Sequence, residues 1–215
     1  MRQRRIKNLD EKMEYLSDLT IDEPASLKGK WREVFGPGRD EKPLFAEIGC
    51  GKGKFIRDMA ALHPENGYVA FEGNLSVVYH AMQKADESGL ANVKFVTDYI
   101  DMADELFDEG ELDGIYLNFS DPWPKVRHEK RRLTTRARML SYAEVLAPGG
   151  VLEFKTDNDG LFEYTLTQIP DCYEECFVTR DLHGTVPEEE IVTTEYEDKF
   201  AGRGKAINFL RLRRR

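Results

Sequence analysis

The stretch PLFAEIGCGKGKFI, Pro43 to Ile56, runs from a short apolar strand into three glycines and then into a helix reaching about Leu62. A strand that passes through glycines into a helix is the first half of a βα unit. Its glycines let the backbone turn tightly and approach a ligand lying against the helix N-terminus. Gly49, Gly51 and Gly53 are spaced G-x-G-x-G, one residue tighter than the dinucleotide pattern G-x-G-x-x-G, and Glu47 stands two residues before the first glycine. The spacing argues against a nicotinamide cofactor. A plain tight turn fits the glycines taken alone, so the flanking segments have to decide.

Outward from this unit the chain alternates. YVAFE (68–72) is a second apolar run ending on Glu72, and 75–88 has helical spacing up to Gly89. VKFV (93–96) leads to Asp98, a short amphipathic piece reaches Phe107, and GIYLNF (114–119) has the pattern of a buried strand. Thr134 to Leu146 reads as a helix stopped by Pro148-Gly149-Gly150, followed by strand VLEFK (151–155) and a helix near Gly160 to Ile169. Tyr173 to Arg180 and Ala206 to Arg213 complete seven strands, with a polar loop and a short helix from Thr194 to Phe200 between them. Such alternation specifies an α/β, doubly wound, mostly parallel sheet with helices on both faces. Residues 1–40, including WREVFG, form a basic N-terminal extension and lead-in whose first stretch is expected to be loose, ahead of one domain over 41–215.

The 215 residues are 40% hydrophobic and 33% charged, and no apolar run approaches the length of a membrane span. The basic start MRQRRIKNLDEKMEYL lacks an apolar core, so it is not a secretory signal, and a cytoplasmic protein is expected. Three cysteines without a paired framework fit reduced thiols. No metal site is expected: there is no C-x-x-C, and His63, His80, His128 and His183 are scattered. Oligomeric state is not legible.

Acids at the ends of successive strands converge on one crevice, where open α/β sheets bind ligands. Glu72, 19 residues after Gly53, suits both ribose hydroxyls of an adenosine, and Asp98 suits the adenine amine. With Glu47 before the glycines, the arrangement resembles the first motif of class I S-adenosylmethionine-dependent methyltransferases. A cationic methyl donor is favoured by acids.

The fourth strand leads into NFSDPWPKVRHEKRRLT, Asn118 to Thr134. Pro122 and Pro124 fix two φ angles and bias the residues before them to extended shapes, so Asp121 and Trp123 are expected to be presented stiffly. A purely structural turn anchored by Trp123 is the competing reading. From Lys125 to Arg138 seven Lys or Arg face one Glu, net +6 in a chain of net charge -9. Arg2, Arg4, Arg5 and Lys7 at one end and Arg211, Arg213, Arg214 and Arg215 at the other repeat that local positive charge. A solvated helix face would also account for RHEKRR; its position after the turn favours a phosphate grip instead.

Together these segments resemble the bacterial tRNA (guanine-N7-)-methyltransferase family. The resemblance runs from KGKWREVFG (28–36) through EIGCGKGKF, YLNFSDPWPKVRHEKRRLT, FKTDN (154–158) and GLFEYTL (160–166) to TEYEDKF (194–200). Departures are Val126, where a second basic residue is usual, and AFEGN (70–74), where another sequence often follows the ribose acid. The resemblance implies a Rossmann-like methyltransferase domain whose last strand is antiparallel. It implies cofactor contacts from Glu47, Gly49, Gly51, Gly53, Glu72, Asp98 and Asp121, with Asp121 catalytic. It further implies substrate contacts from Lys125, Asp157, Thr194, Glu195, Tyr196 and Glu197, and RNA contacts from Arg127, His128, Lys130, Arg131 and Arg132. The implied reaction forms 7-methylguanosine in the variable loop of tRNA. Guanine N7 carries an unprotonated lone pair, so alignment and desolvation matter more than a base. A methyltransferase for another RNA or a small molecule, or a non-catalytic RNA-binding protein of the same fold, are the alternatives.

Overall fold

Strands form where apolar residues run without interruption, and their burial follows from being covered on both faces. The computed structural model describes residues 6–38, 41–200 and 204–215. It contains β1 (Leu44–Ile48), β2 (Gly67–Phe71), β3 (Val93–Val96), β4 (Leu112–Asn118), β5 (Leu146–Thr156), β6 (Tyr173–Thr179) and β7 (Asn208–Arg214). They make one seven-stranded sheet in the order β3-β2-β1-β4-β5-β7-β6. β1 to β5 pair in parallel, and β7 runs antiparallel between β5 and β6. The direction of winding reverses between β1 and β4, which opens a crevice beyond their carboxyl ends.

The helices are α1 (Leu9–Tyr15), α2 (Lys54–Leu62), α3 (Leu75–Glu87), α4 (Arg136–Val145), α5 (Asp159–Gln168), α6 (Leu182–Thr185) and α7 (Glu195–Phe200). β2 shows how two cores share one sheet. Tyr68 and Ala70 pack with Phe55 and Ile56 of α2 and Met82 of α3, whereas Val69 and Phe71 pack with Met139 and Tyr142 of α4 and Phe162 of α5. Each fully buried large apolar side chain contributes about 1.5–3 kcal/mol relative to exposure.

The lead-in is tied to this core. Trp31 is 0% exposed and stacks on Phe107 with ring centroids 4.9 Å apart. The Glu111 carboxylate accepts the backbone N–H groups of Gly29, Trp31 and Asp108, each at 2.9 Å. Arg2, Arg4 and Arg5 lie outside the described residues.

Three local expectations are corrected. The helix expected over Thr134 to Leu146 is α4, two residues shorter at its start because the Thr135 hydroxyl caps it by accepting from Arg138 N at 3.5 Å. It ends before Leu146, which is already extended and pairs with Leu112, so Pro148-Gly149-Gly150 forms an irregularity inside β5 rather than a helix stop. The C-terminal arginines are not a free cationic cluster. Arg211 pairs with Glu153 at 2.8 Å, Arg213 pairs with Glu174 at 2.7 Å, and Arg214 donates to Ala143 O at 2.8 Å.

Candidate active site

At the mouth of the crevice the glycine loop joins β1 to α2. Gly49 and Gly51 adopt φ of 82° and 58°, and a Cβ on either would meet no atom within 4 Å, so the loop presents bare backbone to open space. Gly53 has a different reason: a Cβ there would lie 2.5 Å from Ala81 Cβ, so its absence lets α2 approach α3. Glu72, just past β2, accepts Gly51 N at 3.2 Å with one oxygen and Asn74 N at 2.9 Å with the other, bracing the loop.

Glu47, on β1, is 1% exposed. Asn118, the last residue of neighbouring β4, donates to its Oε1 at 2.8 Å, while Oε2 is buried without a hydrogen bond. Burial pushes the carboxyl up to about 7, against the opposing effect of the Asn118 bond. Burial likewise drives the Cys50 thiol well above its usual range, so it is not poised as a nucleophile.

Beyond β3, Asp98 accepts from Tyr99 N at 2.7 Å. The loop is held from the other side by Arg138 of α4, which donates to Ile100 O at 3.0 Å and to Asp101 Oδ1 at 2.7 Å. Arg138 is buried and lines the crevice. This corrects its place in the basic run, because a guanidinium committed to a buried carbonyl is withdrawn from phosphate.

The D-P-W-P turn is stiff, but not in the expected way. Trp123 precedes a proline yet has φ of 40°, and Phe119, two residues before Asp121, has φ of 51°. Neither is extended, and such angles in bulky residues are strained at roughly 1–3 kcal/mol each. Surrounding contacts hold them. Arg132 donates to Pro122 O and Trp123 O, both at 3.1 Å, and Arg131 lies over the Trp123 ring at 4.7 Å with His128 edge-on to it. Arg132 also covers the Tyr164 ring at 4.2 Å, and Tyr164 donates to Glu129 at 2.9 Å. Asp121, Lys125, Arg127, Lys130 and Arg131 are exposed, as is Val126, on and around a 3-10 turn over Val126–Arg131.

Thr194 and the first turn of α7 line the crevice and join the start of α2 just after the glycine loop. Thr194 and Glu197 form a capping box: Glu197 Oε2 accepts Thr194 N at 2.8 Å, and Thr194 Oγ1 accepts Glu197 N at 3.1 Å. Glu195 accepts Lys54 N at the start of α2 at 3.2 Å and pairs with Lys84. Tyr196 donates to Asp157 at 2.8 Å and lies against Phe119. Beneath them, buried Lys155 of β5 donates to Val192 O at 2.7 Å and lies 3.5 Å from Glu197, and desolvation lowers its ammonium's pKa.

One cleft of about 1190 Å³ is therefore lined by Glu47, Gly49, Gly51, Glu72, Asp98 and Asp121 together with Thr194, Glu195, Tyr196 and Arg131. Gly53, Lys125, Arg127, His128, Lys130 and Arg132 are not among its lining residues. Asp157 and Glu197 instead line an adjoining cavity of about 310 Å³, which shares Tyr196 with the cleft. Sequence reasoning missed Asn118, Tyr99, Arg138 and Lys155. Asn118 had a signal, since it ends the strand beside β1; the others become visible only through contacts distant in sequence. Among the described residues no group of three or more His, Cys, Asp or Glu is arranged to hold a metal, and no helix is long and apolar enough to cross a membrane.

The sheet order, the glycine turn after β1 and the acids after β2 and β3 define a class I S-adenosylmethionine-dependent methyltransferase. Residues 41–210 match the family described as "Putative methyltransferase". The tRNA (guanine-N(7)-)-methyltransferase of Lactococcus lactis subsp. cremoris strain MG1363 is 45% identical over 212 residues, covering 96% of this chain and 95% of that one. Its counterpart in Bacillus subtilis strain 168 is 44% identical over 192 residues, with 89% and 88% covered. Among solved structures, the aminoglycoside resistance methyltransferase NpmB1 superposes with a TM-score of 0.56 at 17% identity, covering 80% of this chain and 87% of that one, a likeness of fold. The chain belongs to the tRNA (guanine-N(7)-)-methyltransferase family.

Proposed function

We infer that this chain transfers a methyl group from S-adenosylmethionine to N7 of a guanosine in tRNA, and we place the target in the variable loop. The observation that carries the reading is the single cleft in which strand-end acids and bare glycine backbone meet the D-P-W-P turn and Arg131. The residues fit the donor: Gly49 and Gly51 leave a cradle that any Cβ would enter, and buried Glu47 Oε2 and Ser120 Oγ lack hydrogen bonds. Glu72 and Asp98 would hold the adenosine, and Glu47 the cationic end. Bound there, S-adenosylmethionine supplies an electrophilic methyl carbon on a sulfonium.

The protein's own part is placement and charge. Asp121 at the cleft rim accepts hydrogen bonds from the guanine N1–H and N2–H edge, and its negative charge offsets the positive charge that develops on the purine. No base is needed, because N7 has no proton to lose. Tyr196 and Glu195 flank the same space and limit water, and Asp157 in the adjoining cavity holds Tyr196 by accepting from its hydroxyl. Lys125, Arg127, Lys130 and Arg131 grip phosphate beside the cleft, while the acidic remainder of the surface repels it. A cytoplasmic location follows from that substrate.

Incubating the purified protein with labelled S-adenosylmethionine and bulk tRNA, then digesting to nucleosides, tests the reading. Label in 7-methylguanosine is expected; label in another nucleoside, or none, overturns it.

A further inference from the structure

Among the seven cations from Lys125 to Arg138 stands a single acid, Glu129. A carboxylate repels phosphate, so its place in this run calls for another task. Its side chain accepts the Tyr164 hydroxyl of α5 at 2.9 Å, and its carbonyl accepts Arg132 N at 3.0 Å. The Tyr164 ring lies under the Arg132 guanidinium at 4.2 Å, and that guanidinium donates to Pro122 O and Trp123 O, the two residues after Asp121. Contacts therefore run unbroken from α5 to the turn.

The base of this chain of contacts is fixed. Leu161, Phe162 and Thr165 of α5 are buried, and Thr165 Oγ1 lies 2.7 Å from the buried Thr134 Oγ1, two residues beyond Arg132. Its far end is strained, since Phe119 and Trp123 hold left-handed angles on either side of Asp121, a conformation that persists only where neighbouring contacts over-determine it. Arg132 is also adjacent to exposed Arg131, and a guanidinium left unheld there would be drawn to RNA phosphate.

We propose that Tyr164 and Glu129 are positioning residues that withhold Arg132 from the RNA and keep it on the D-P-W-P turn, so that tRNA is gripped without loosening Asp121. Tyr164 offers the guanidinium its π face, and Glu129 sets the angle of the ring through its hydroxyl. Both act through Arg132. The proposal rests on the methyl-transfer reading for the role of Asp121, but the hold on Arg132 is also read from RNA binding alone.

The test compares the full chain with Tyr164→Phe, Tyr164→Leu, Arg132→Ala and the double Tyr164→Leu/Arg132→Ala variant. Single-turnover methyl transfer is measured with bulk tRNA saturating, beside the slope of log tRNA affinity against log salt, S-adenosylhomocysteine affinity and thermal unfolding. Tyr164→Leu should lower the rate about tenfold, as Arg132→Ala does, and steepen the salt slope by about 1, because the freed guanidinium takes a phosphate. A merely structural loss would not strengthen the salt dependence. S-adenosylhomocysteine affinity should stay within about twofold. Tyr164→Phe keeps the π face and loses only the bond to Glu129, so its rate should fall about threefold. The double variant should be no slower than Arg132→Ala and show no steepening.

An unaltered slope in Tyr164→Leu would overturn the withholding of Arg132, and rate losses that add in the double variant would overturn action through it. Wild-type behaviour of Tyr164→Phe would remove Glu129 from the role. Should Tyr164→Leu melt far below the unaltered protein, Tyr164→Phe, which keeps the packing of the ring, carries the same comparison of rate and slope. If the unaltered protein binds tRNA but methylates none, the methyl-transfer reading falls while the slopes still decide where Arg132 lies; if it binds no tRNA, both fall.

Discussion

Asn118 donates its amide to Glu47 Oε1 at 2.8 Å and leaves Oε2 of the same buried carboxylate without a hydrogen bond. Burial outweighs that bond and holds the Glu47 carboxyl up to about 7, against 4.5 when solvated. Between those two values the folded protein keeps a proton that the unfolded chain has released, so stability drains as pH rises through the window. Below about 4.5 both states are protonated and Glu47 adds nothing; above about 7 its full cost stands, on the order of 3 kcal/mol. Glu47→Gln should therefore unfold at a higher temperature than the unaltered protein at pH 8, with the difference shrinking toward pH 5. Melting curves across that range check it, and a constant difference would contradict the linkage.

The same carboxylate should register the donor. A cationic ligand beside Glu47 favours the ionised form, so binding near pH 6.5 should release a proton, and affinity should rise from pH 6 to 8. Titrations of S-adenosylmethionine in buffers of different ionisation enthalpy measure the release directly. Glu47→Gln should bind more weakly and show no buffer dependence; a release that survives the substitution would belong to another group.

Within the basic run the contacts divide the cations by task. Arg127 and Lys130 are exposed, so alanine at both should weaken tRNA binding and flatten the slope of log affinity against log salt by about 2. Arg132 is committed to Pro122 O and Trp123 O, so Arg132→Ala should leave most of the salt slope and lower the single-turnover rate by about tenfold or more. Filter binding at several salt concentrations, beside methyl-transfer rates, separates them. A slope change in Arg132→Ala equal to that of one exposed cation would place it on phosphate.

Arg138→Ala should act on the donor end instead. It strips Ile100 O of a buried donor, while Asp101, being exposed, is left at little cost. A loss of about 1–3 kcal/mol in stability and a weaker S-adenosylhomocysteine complex are expected, with tRNA affinity at saturating salt-matched conditions unchanged. Calorimetry and thermal unfolding would show otherwise if the guanidinium instead served RNA.

These divisions show where sequence reasoning reached and where it stopped. The βα alternation is legible because short uninterrupted apolar runs such as YVAF, too short for a helix and bounded by turn residues, fit strands covered on both faces, and the glycine turn follows from Gly49 and Gly51. Glu47, Glu72 and Asp98 lie in or just after their strands, so the crevice could be assembled from strand ends alone. Arg138 was counted with its charged neighbours because charge is local in sequence, whereas its carbonyl partner at Ile100 is 38 residues away. Trp123 was expected to be extended because proline restricts the residue before it, but two bonds from Arg132 stabilise the left-handed angle. Leu146 joined a strand for a similar reason: pairing with Leu112 outweighed local helical propensity.

Asp121 gives the decisive test of chemistry against architecture. It lies exposed at the cleft rim, between Phe119 at φ 51° and Trp123 at φ 40°, in a turn already held by Arg131 and Arg132. The turn's clamps use the carbonyls of Pro122 and Trp123, not the Asp121 carboxylate, so Asp121→Ala should melt within a few degrees of the unaltered protein. Its tRNA affinity, carried by phosphate contacts, should also persist. The methyl-transfer rate should fall by about 10² to 10⁴, the loss that follows removal of a preorganised group which aligns the reactant and offsets developing charge. Asp121→Asn sharpens the question, because the amide keeps the shape and one acceptor but not the charge, and it should be nearly as impaired. Single-turnover rates with tRNA saturating, measured beside thermal unfolding, distinguish the outcomes. Near-normal rates in Asp121→Asn would reduce the residue to a geometric role, and a collapsed melting temperature in both variants would return it to the turn's architecture.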